Sequence, residues 1–349
     1  MNPRSAAPLP PDVGRVLVIE LAGLGDTVHL LPALWLVRRR WPDAELTVLT
    51  PAPIADLFRL TPWVDRVWSY PTTPKPGWMG SLQWARKLRA AHFDATIDVK
   101  ATDRSSLLAW ATRAPLRIGR RPADGGPPGW NTLFTRVAAT PYYTEPMFIQ
   151  KWRSLRQLGF DEPATAPEFH VTIDPAWRRA AGIGASDEGR YLHVSPCTTA
   201  LARELPAAQL ARLIERVGAA HPDLRVILSC ADNTRERGRL AELSSLLSRP
   251  PWKAFAGTLD IAALAAVIET AALHLSGDTG SLHLAMMSRT PALAWFRHHK
   301  GEHEWIPHGA QYRVLIGPDS EPRDAAHGLA DDALFGAASE ILAQRAVPR

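Results

Sequence analysis

The sequence predicts an α/β protein with two Rossmann-like halves. Short β-branched runs alternate with helical stretches between residues 15 and 99, and the same alternation begins again at residue 190. Strands that alternate with helices form parallel sheets, because the chain must cross over the sheet before it can start the next parallel strand. The length of 349 residues also leaves room for two domains.

The first half is predicted to start with a buried parallel strand, RVLVIE, at residues 15–20. This run is short and β-branched, and glycines bound it on both sides. A helix is predicted at 26–40, with Pro32 in its early turns, where proline is tolerated. The next predicted elements are strands at 45–49 and 66–69, a helix at 81–91 and a strand at 95–99.

The second half repeats the pattern, with strands predicted at 190–194, 224–229, 273–276 and 292–296 and helices at 207–219, 260–269 and 281–287. The stretch 161–175 is rich in proline and acidic residues and is the best candidate linker. We therefore expect domains at 1–172 and 173–330. A C-terminal segment, 331–349, is predicted to form a helix at 331–346 that packs back on the first domain.

Composition excludes several classes of protein. Apolar residues make up 46% of the chain, which is ordinary for a folded protein and too high for a disordered one. The net charge of +5 is below that of a dedicated nucleic-acid-binding protein but suits one that handles phosphates. Two cysteines, Cys197 and Cys230, exclude a disulfide scaffold and a cysteine-based zinc cluster. With neither a secretory signal nor an apolar run of membrane-spanning length, the expected location is the cytoplasm.

A glycine-rich loop, residues 21–29, follows the first predicted strand and opens the first helix. Its glycines allow a tight turn and the close approach of a ligand. It is not a G-x-G-x-x-G fingerprint, since Val28 stands three positions after Gly25, and this disfavours an NAD-dependent oxidoreductase. Asp26 is either the N-cap of the helix or a carboxylate at the mouth of a ligand cleft.

A second loop, SGDTGSLH at residues 276–283, lies between a strand and a helix in the second half. Backbone N–H groups at the start of a helix form a site for an anion, and Thr279 and Gly280 bring no bulky obstruction there. Asp278 is either an N-cap or a part of this site. His283 is either a packed core histidine or a side chain that faces the same anion.

A third loop, residues 197–206, follows the strand at 190–194. Thr198, Thr199 and Arg203 offer two hydroxyl groups and a guanidinium, which can donate to two oxygens of a diphosphate at once. The alternative is a solvated loop with an ordinary surface arginine.

Together, and in this order, these segments resemble glycosyltransferase family 9, the lipopolysaccharide heptosyltransferases. RVLVIELAGLGDTVHLLPAL at 15–34 resembles the family's opening strand, its Gly-Asp loop and its helix with Pro-Ala-Leu. TIDVKATDRS at 96–105 resembles the Asp-x-Gln-Gly-x-x-x-Ser stretch, and SGDTGSLHLA at 276–285 resembles the Asp-Thr-Gly-x-x-His signature. The resemblance extends from about residue 14 to about residue 300.

The resemblance implies a GT-B fold, in which two Rossmann-like domains face a central cleft. It implies an inverting glycosyl transfer that needs neither a metal ion nor another cofactor. The implied donor is the co-substrate ADP-L-glycero-β-D-manno-heptose, held by the domain at 173–330. The implied acceptor is an inner-core sugar of lipopolysaccharide, held by the domain at 1–172, and core acceptors in this family carry carboxylates and phosphates.

The family's motifs also imply roles for single residues. Asp26 matches the general base, and Arg203 stands where a cation neutralises the leaving diphosphate. Leu259 falls where the family often has a methionine beside the adenine, and Glu236 where an acid holds the ribose. The implied donor-binding residues are Thr198, Thr199, Glu236, Leu259, Asp278, Thr279, Gly280 and His283. The implied acceptor-binding residues are Gly25, Lys100, Arg104, Arg120 and Arg121.

Two departures from the family's motifs concern charged residues. The usual Lys-x-Trp-Pro is Arg-Glu-Leu-Pro at 203–206, which keeps the cation but changes its reach. The usual Gln-Gly is Lys-Ala at 100–101, on the expected acceptor side, so a different acceptor is one expectation. Two alternatives therefore stay open: a transferase of the same family that acts on a natural product or a protein, and a catalytically inert nucleotide-sugar-binding protein.

Tryptophans of the first half bear on the partners. They suit either core packing or a membrane-interface belt near a lipid-linked acceptor. We expect the protein to contact a nucleotide sugar, a glycolipid or other glycosyl acceptor, and peripherally the cytoplasmic face of the inner membrane, but no nucleic acid. The four tryptophans are Trp63, Trp68, Trp78 and Trp84.

Overall fold

A computed structural model of the chain contains two α/β units, Met1–Thr172 and Ile173–Arg349. It describes residues 8–72, 74–100, 102–160, 168–169, 171–298, 301–317 and 328–345. Residues 161–167 and 170 of the candidate linker, Ala101 of the Lys-Ala pair and the last predicted helical residue, Ala346, lie outside these ranges.

The first unit contains a parallel sheet of six strands. They are β1 (Arg15–Ile19), β2 (Glu45–Pro51), β3 (Arg66–Tyr70), β4 (Ala95–Asp98), β5 (Leu116–Arg120) and β6 (Arg136–Ala138), in the order β3-β2-β1-β4-β5-β6. The four strands predicted from the sequence are confirmed with small shifts at their ends, whereas β5 and β6 were missed. Leu17 of the central β1 pairs with Thr47 on one side and Thr96 on the other.

Helices connect the strands of the first unit. They are α1 (Leu24–Val28), α2 (Leu31–Arg40), α3 (Trp78–Ala90), α4 (Asp103–Ala111) and α5 (Met147–Arg156), with 3₁₀ segments at Ala52–Leu60 and Trp130–Leu133. The prediction of a single helix at 26–40 is wrong, since α1 and α2 are separate. Pro32 has no N–H to donate to Val28 one turn earlier, so the chain restarts and Pro32 lies in the first turn of α2.

The second unit contains another parallel sheet of six strands. They are β7 (Tyr191–Ser195), β8 (Arg225–Cys230), β9 (Lys253–Ala256), β10 (Leu273–Gly277), β11 (Ala292–Arg297) and β12 (Tyr312–Gly317), in the order β12-β11-β10-β7-β8-β9. The four predicted strands are again confirmed, and β9 and β12 were missed.

The two sheets share one topology. When the strands of each unit are numbered from its own first strand, both sheets have the order 3-2-1-4-5-6. The strand order reverses between the first and the fourth strand, which are β1 and β4 in the first unit and β7 and β10 in the second. Ligands of such sheets bind beyond the carboxyl ends of the strands at this reversal, which we call the switch point.

Helices also connect the strands of the second unit. They are α6 (Pro175–Ala180), α7 (Ala207–Ala220), α8 (Thr234–Leu246), α9 (Ile261–Glu269), α10 (Gly280–Met287) and α11 (Asp331–Arg345), with 3₁₀ segments at Ala185–Asp187, Leu201–Arg203 and Glu302–Glu304. The prediction that the C-terminal helix packs on the first unit is wrong, since α11 packs on the second unit. Its Leu334 and Ile341 are buried in the core beside Leu293, and Arg212 of α7 pairs with Asp331 at 2.6 Å.

Each sheet buries apolar side chains of its own strands against its own helices. In the first unit Leu17 and Ile19 pack with Leu108 of α4, and in the second Leu275 packs with Leu210 of α7. Burial of this kind stabilises each sheet and fixes the loops at its carboxyl edge. Among the residues that the structure describes, no helix is both long and apolar enough to span a bilayer.

Candidate functional site

Asp26 lies at the switch point of the first sheet, after β1. It is in the first turn of α1, but the N-cap of that helix is Gly23 and no side chain caps it, so the N-cap interpretation of Asp26 is wrong. Instead, Oδ1 of Asp26 forms an ion pair with Nζ of Lys100, and the Asp26 side chain is still 17% exposed. A carboxylate in this position can accept a proton from a bound hydroxyl group.

Lys100 reaches Asp26 from the loop after β4, the other strand of the switch point. The backbone N–H of Lys100 donates to Oδ1 of Asp98 at 3.2 Å, and the hydroxyl of Ser106 donates to Oδ2 of the same aspartate at 3.2 Å. Asp98 is fully buried, so it fixes this loop to the end of the sheet. Burial alone lowers the pKa of Lys100, but the carboxylates of Asp26 and Glu20 together outweigh burial, and the pKa lies above its ordinary value. Lys100 is therefore a charged ammonium group.

A buried ion pair holds the loop that carries Asp26. Nζ of Lys151, on α5, lies 2.7 Å from Oε2 of Glu20 and donates to the backbone oxygen of Asp26 at 2.6 Å. The other oxygen of Glu20 accepts from the N–H of Ala22 at 3.1 Å. Both charged side chains are buried, so they tie the two ends of the glycine loop to α5. The sequence analysis missed this pair, although a carboxylate at the end of an apolar strand signals a buried cation.

The other predicted acceptor residues differ in exposure. Gly25 in α1 and Arg104 at the start of α4 are half-buried, and Arg121 is exposed after β5. Arg120 is buried, and its Nη2 donates to Oε1 of Gln150 at 2.6 Å. Its guanidinium is an internal brace between β5 and α5 rather than the predicted acceptor contact, because the surrounding side chains enclose its charge.

In the second unit, Asp278 and Arg203 meet at the switch point between β7 and β10. Asp278 follows β10 directly, and Nη1 of Arg203 donates to its Oδ2 at 2.7 Å. The N-cap of α10 is Thr279, so the N-cap interpretation of Asp278 is also wrong. Gly277 allows the close approach, because a Cβ atom there would lie 2.8 Å from the backbone oxygen of Arg203 and 2.9 Å from Cγ2 of Thr198.

The N-terminus of α10 lies beside this arginine–aspartate pair. The helix begins at Gly280 and has eight residues, so its first N–H groups present the positive end of a helix dipole. The hydroxyl oxygens of Ser276 and Ser281 are buried and, within the described ranges, have no hydrogen-bond partner. A diphosphate at this place would accept hydrogen bonds from Arg203 and from the helix.

An ion pair holds the loop after β7. Arg235 donates from Nη1 to Oε1 of Glu204 at 2.6 Å and from Nη2 to the backbone oxygen of Thr198 at 2.6 Å. Thr198 is buried and its hydroxyl donates to the backbone oxygen of Ala200 at 2.6 Å, whereas Thr199 is exposed. Thr199 is thus the accessible hydroxyl of the two. The sequence analysis missed Arg235, which lies about thirty positions along the chain from its partners.

The remaining predicted donor residues lie in three different environments. Glu236 is in the first turn of α8, and its Oε2 accepts from the N–H of Ala231 at 2.9 Å. Leu259 is half-buried against an apolar cluster of the second unit. His283 is buried in α10, with its ring edge-on to that of Trp305 at 5.7 Å between centroids, which favours its interpretation as a packed histidine.

The described side chains offer neither a metal site nor a reactive thiol. In the part of the chain that the structure describes, no three histidine, cysteine, aspartate or glutamate side chains are grouped so as to hold a metal ion. Cys197 and Cys230 are free thiols. Burial raises the pKa of Cys197 to about 12, so this thiol is protonated at neutral pH and is a poor nucleophile.

Comparison with known proteins identifies the family. Residues 81–326, well over half of the chain, match the profile of glycosyltransferase family 9 (heptosyltransferase). The chain belongs to this family. This family 9 glycosyltransferase is 22% identical over 285 residues to the lipopolysaccharide core heptosyltransferase OpsX of Haemophilus influenzae. The aligned residues cover 81% of this chain and 78% of OpsX.

Solved structures of similar proteins support the fold. The glycosyltransferase of family 9 from Veillonella parvula superposes with a TM-score of 0.80 at 18% identity, covering 97% of this chain and 99% of that one. The Escherichia coli heptosyltransferase WaaC with ADP superposes with a TM-score of 0.75 at 18% identity, covering 94% and 99%. The two six-stranded parallel sheets of this family 9 glycosyltransferase form a GT-B fold, as the resemblance implied.

Proposed function

We propose that this glycosyltransferase moves a heptose from ADP-heptose to a sugar hydroxyl of the lipopolysaccharide inner core, with inversion at the anomeric carbon. The family's description and the name of the relative OpsX support the transfer of a heptose to the lipopolysaccharide core. The structure of the similar E. coli WaaC with ADP-2-deoxy-2-fluoro heptose supports an ADP-linked donor. The observation that carries the proposal is the chemistry of the two switch points. One presents the carboxylate of Asp26, and the other presents Arg203 beside the N-terminus of α10.

Asp26 acts as the general base in the proposed reaction. The acceptor oxygen attacks the anomeric carbon from the side opposite the diphosphate, and the hydroxyl proton passes to the Asp26 carboxylate as the new C–O bond forms. The bond between the anomeric carbon and the diphosphate oxygen breaks, and ADP leaves with its electron pair. The buried Lys151 donates to the backbone oxygen of Asp26, so the loop that carries the carboxylate is preorganised.

Arg203 and the N-terminus of α10 stabilise the charge on the leaving diphosphate. The guanidinium has five N–H donors and uses one of them on Asp278 in the described structure, which orients the remaining donors. Preorganised donors of this kind act where charge develops in the transition state, so the proposed transfer needs no metal ion. Thr279, Gly280 and the exposed Thr199 lie on the same loops and complete the proposed diphosphate contacts.

We assign the nucleoside end of the donor to the loops after β8 and β9. Glu236 is the proposed contact of the ribose, since its carboxylate is half-buried at the start of α8. Leu259 is the proposed apolar contact of the adenine, because it is partly exposed over an apolar cluster. Thr198 and His283 are buried, and the backbone oxygen of Thr198 is tied to α8 because it accepts from Arg235.

The donor is tested by a thermal-shift panel of ADP, UDP, GDP and NAD. Only a ligand that binds the folded protein raises the melting temperature, so ADP alone is expected to do so. Turnover is tested by incubating ADP-heptose with a lipopolysaccharide that lacks core heptose and measuring ADP release and the mass of the product. Stabilisation by UDP, GDP or NAD instead of ADP, or ADP binding without turnover, would contradict the proposal; the second result would point to an inert binding protein.

Asp26→Asn tests the assignment of the base. Removal of a general base lowers rates by about 10²- to 10⁴-fold, so transfer is expected to fall to background. ADP affinity, measured by calorimetric titration, is expected to stay within about twofold, because Asp26 lies on the unit that does not hold the nucleotide in this proposal. A variant that keeps a large part of its turnover would remove Asp26 from this role.

A second candidate acceptor has support in Lys100. This lysine stands where the family's motif has glutamine, on the proposed acceptor side. It places a positive charge next to Asp26, the proposed base that contacts the acceptor. The same transfer to a natural product or a protein is therefore the alternative. A panel of acceptors offered with ADP-heptose decides between them by the mass of the product.

We also propose that the enzyme works peripherally at an anionic membrane on the cytoplasmic side, where a lipid-linked acceptor is held. Trp78 is 78% exposed and Met79 60% exposed at the N-terminus of α3, with Leu82 exposed one turn later. Because α3 follows β3, this apolar patch lies at the carboxyl edge of the first sheet, the edge that carries Asp26. Exposed basic residues flank it: Lys75, Arg86 and Arg89.

Flotation with vesicles tests the membrane contact. Vesicles that contain anionic lipid are expected to carry the protein, and neutral vesicles are not. Trp78→Ser is expected to weaken flotation, whereas Trp68→Phe, at a half-buried tryptophan of the same unit, is not. Equal flotation of Trp78→Ser and the wild type would exclude this patch. Trp63 and Trp84 are half-buried as well, which leaves Trp78 as the candidate for insertion among the four.

A further inference from the structure

Lys100 contacts the carboxylate that acts as the base in the proposed reaction. Its ammonium forms an ion pair with Oδ1 of Asp26, the carboxylate that takes the proton of the acceptor. The Lys100 side chain is 27% exposed and that of Asp26 17%, so a bound acceptor can reach both. Glutamine, the usual residue of the family's motif here, carries no charge and could not form an ion pair.

Other charged and titratable groups around this pair are already engaged. Glu20, at the end of β1, is held by Lys151 of α5 at 2.7 Å in a fully buried pair. Tyr142 interacts electrostatically with Lys100, and the guanidinium of Arg120 lies 3.6 Å from the centre of the Tyr142 ring. Lys100 is thus the half-exposed cation next to Asp26, whereas Lys151 and Arg120 are enclosed.

The ion pair restricts what Asp26 can do. While the ammonium is on Oδ1, it uses one lone pair of that oxygen and fixes the rotation of the carboxylate, so an incoming hydroxyl group meets a carboxylate that is turned to Lys100. A second anion that approaches Lys100 competes with Asp26 for the ammonium, since one compact charge on a flexible stem can turn from one partner to another. A neutral ligand offers no such competition.

We propose that Lys100 determines specificity for an acceptor that carries an anionic group beside its reactive hydroxyl, and that binding of this anion releases Asp26. The carboxylate or phosphate of the acceptor takes the ammonium of Lys100. Oδ1 of Asp26 is then free to accept the proton of the neighbouring hydroxyl. This inference rests on the proposed function, because it takes Asp26 as the base of that transfer.

The same pair protects the donor when no acceptor is bound. Water can attack the anomeric carbon of ADP-heptose, pass its proton to Asp26 and break the bond to the diphosphate oxygen, which yields heptose and ADP. With Lys100 on Oδ1, the carboxylate is held in the direction of the ammonium rather than of the water, and this hydrolysis is slow. Loss of Lys100 removes the restriction.

Lys100→Gln tests the inference because it installs the residue of the family's motif. Each enzyme is given ADP-heptose with three acceptors: a lipopolysaccharide that lacks core heptose but keeps its core anions intact, the same molecule with its core carboxylate reduced to an alcohol, and the same molecule freed of core phosphate. A charge-assisted hydrogen bond corresponds to about 10- to 100-fold in affinity, so the wild type is expected to prefer the intact acceptor over one neutralised form by that factor, mainly in KM. The acceptor form that loses the preference identifies carboxylate or phosphate as the anion.

The variants are expected to separate clearly. In Lys100→Gln the preference falls to about twofold while hydrolysis of ADP-heptose without acceptor rises several-fold, two changes that a lost structural contact alone would not produce together. Lys100→Arg keeps the charge and is expected to keep the preference. Lys87→Gln is the matched control, at an exposed lysine of α3 whose ammonium lies over the rings of Trp68 and Trp84. It is expected to keep the acceptor preference and the slow hydrolysis of the wild type.

Two results would overturn the proposal in distinguishable ways. If the wild type transfers heptose and Lys100→Gln keeps both its preference and its slow hydrolysis, Lys100 has no role in specificity and the proposed function stands. If the wild type transfers heptose to none of the acceptors, the proposed function fails and this inference fails with it. Urea denaturation of every variant shows whether the first unit, which carries Lys100, is folded, and ADP titration shows the same for the second unit.

Discussion

The switch points of the two sheets carry the same pair of charges in opposite positions. In the first unit the carboxylate, Asp26, follows the first strand and the cation, Lys100, follows the fourth. In the second unit the cation, Arg203, follows the first strand and the carboxylate, Asp278, follows the fourth. One topology therefore presents two different chemistries at the same place.

Exposure shows which partner of each pair faces the ligand. In the second unit the Arg203 side chain is 36% exposed and that of Asp278 only 8%, so the cation is offered to solvent and the carboxylate orients it from behind. In the first unit both partners are accessible. The second switch point therefore offers its cation to solvent, whereas the first offers both a carboxylate and an ammonium group.

The supports of the two loops also differ. The loop of Asp26 is held by the fully buried Lys151–Glu20 pair, whereas the loop of Arg203 is held by the pair between Glu204 and the partly exposed Arg235. A buried charge left without its partner is far more destabilising than an exposed one. Removal of the first support is therefore expected to have the largest effect on the free energy of unfolding.

Lys151→Met is the substitution with the largest expected effect, because it removes the buried support of the Asp26 loop. It leaves the carboxylate of Glu20 buried and unpaired and is expected to lower the free energy of unfolding by about 3–5 kcal/mol, measured by urea denaturation. Glu20→Gln/Lys151→Met removes both charges and is expected to recover more than half of the loss. Lys75→Met, at an exposed lysine of the loop before α3, is the control for the loss of an ammonium group. A loss below about 1 kcal/mol in Lys151→Met would mean that the pair does not hold the loop.

Arg203→Ala tests the cation at the switch point of the second sheet. It is expected to lower kcat/KM for ADP-heptose by about 30- to 1000-fold, equivalent to about 2–4 kcal/mol, and to weaken ADP binding as well. Part of the loss comes from Asp278, whose carboxylate would then face the diphosphate without a partner. Arg203→Ala/Asp278→Asn is therefore expected to be better than the single variant, in steady-state kinetics and in ADP titration. Unchanged kinetics of Arg203→Ala would make this arginine a bystander.

The sequence was sufficient for the alternation of strands and helices and for the loops that carry Asp26, Asp278 and Arg203, because these depend on local patterns. It failed where a single residue decides against a local pattern. Pro32 divided a helix that the apolar spacing had made continuous. The strands β9 and β12 are short or partly exposed at the edges of the second sheet, and their burial pattern is weak.

Partners distant in sequence were beyond local patterns altogether. Lys151 and Glu20 are far apart in the chain, and nothing in the segment of Lys151 marks it as buried. Arg120 shows the converse: the anionic acceptors of the family suggested that this basic residue contacts a ligand, but the fold encloses it against Gln150. Whether an arginine binds a ligand or braces the protein depends on what packs around it, and that is decided by tertiary structure.

The buried titratable pairs of the two units also contrast, since the first unit buries a charged pair and the second a neutral one. His193 of β7 and His274 of β10 lie side by side in register, with Nδ1 atoms 2.9 Å apart, and both are fully buried. Nε2 of His193 is 3.0 Å from the hydroxyl of Ser229. Burial holds the pKa of His193 well below its ordinary value and lowers that of His274 to about 3. Both rings are therefore neutral in the folded protein at neutral pH.

This neutral pair predicts a loss of stability in mild acid. Below pH 6.5 the unfolded chain takes up a proton on each histidine, whereas the folded chain does not until the pH nears 3 for His274. The contribution of the pair is therefore complete above pH 6.5 and is lost as the pH falls, by up to about 1.4 kcal/mol per pH unit for each histidine. Urea denaturation at pH 7, 6 and 5 measures this slope, and His274→Leu is expected to reduce it by about one proton. The control His308→Gln removes an exposed histidine of the same unit, and equal slopes for both variants would show that the buried rings do not govern the acid sensitivity of this sheet.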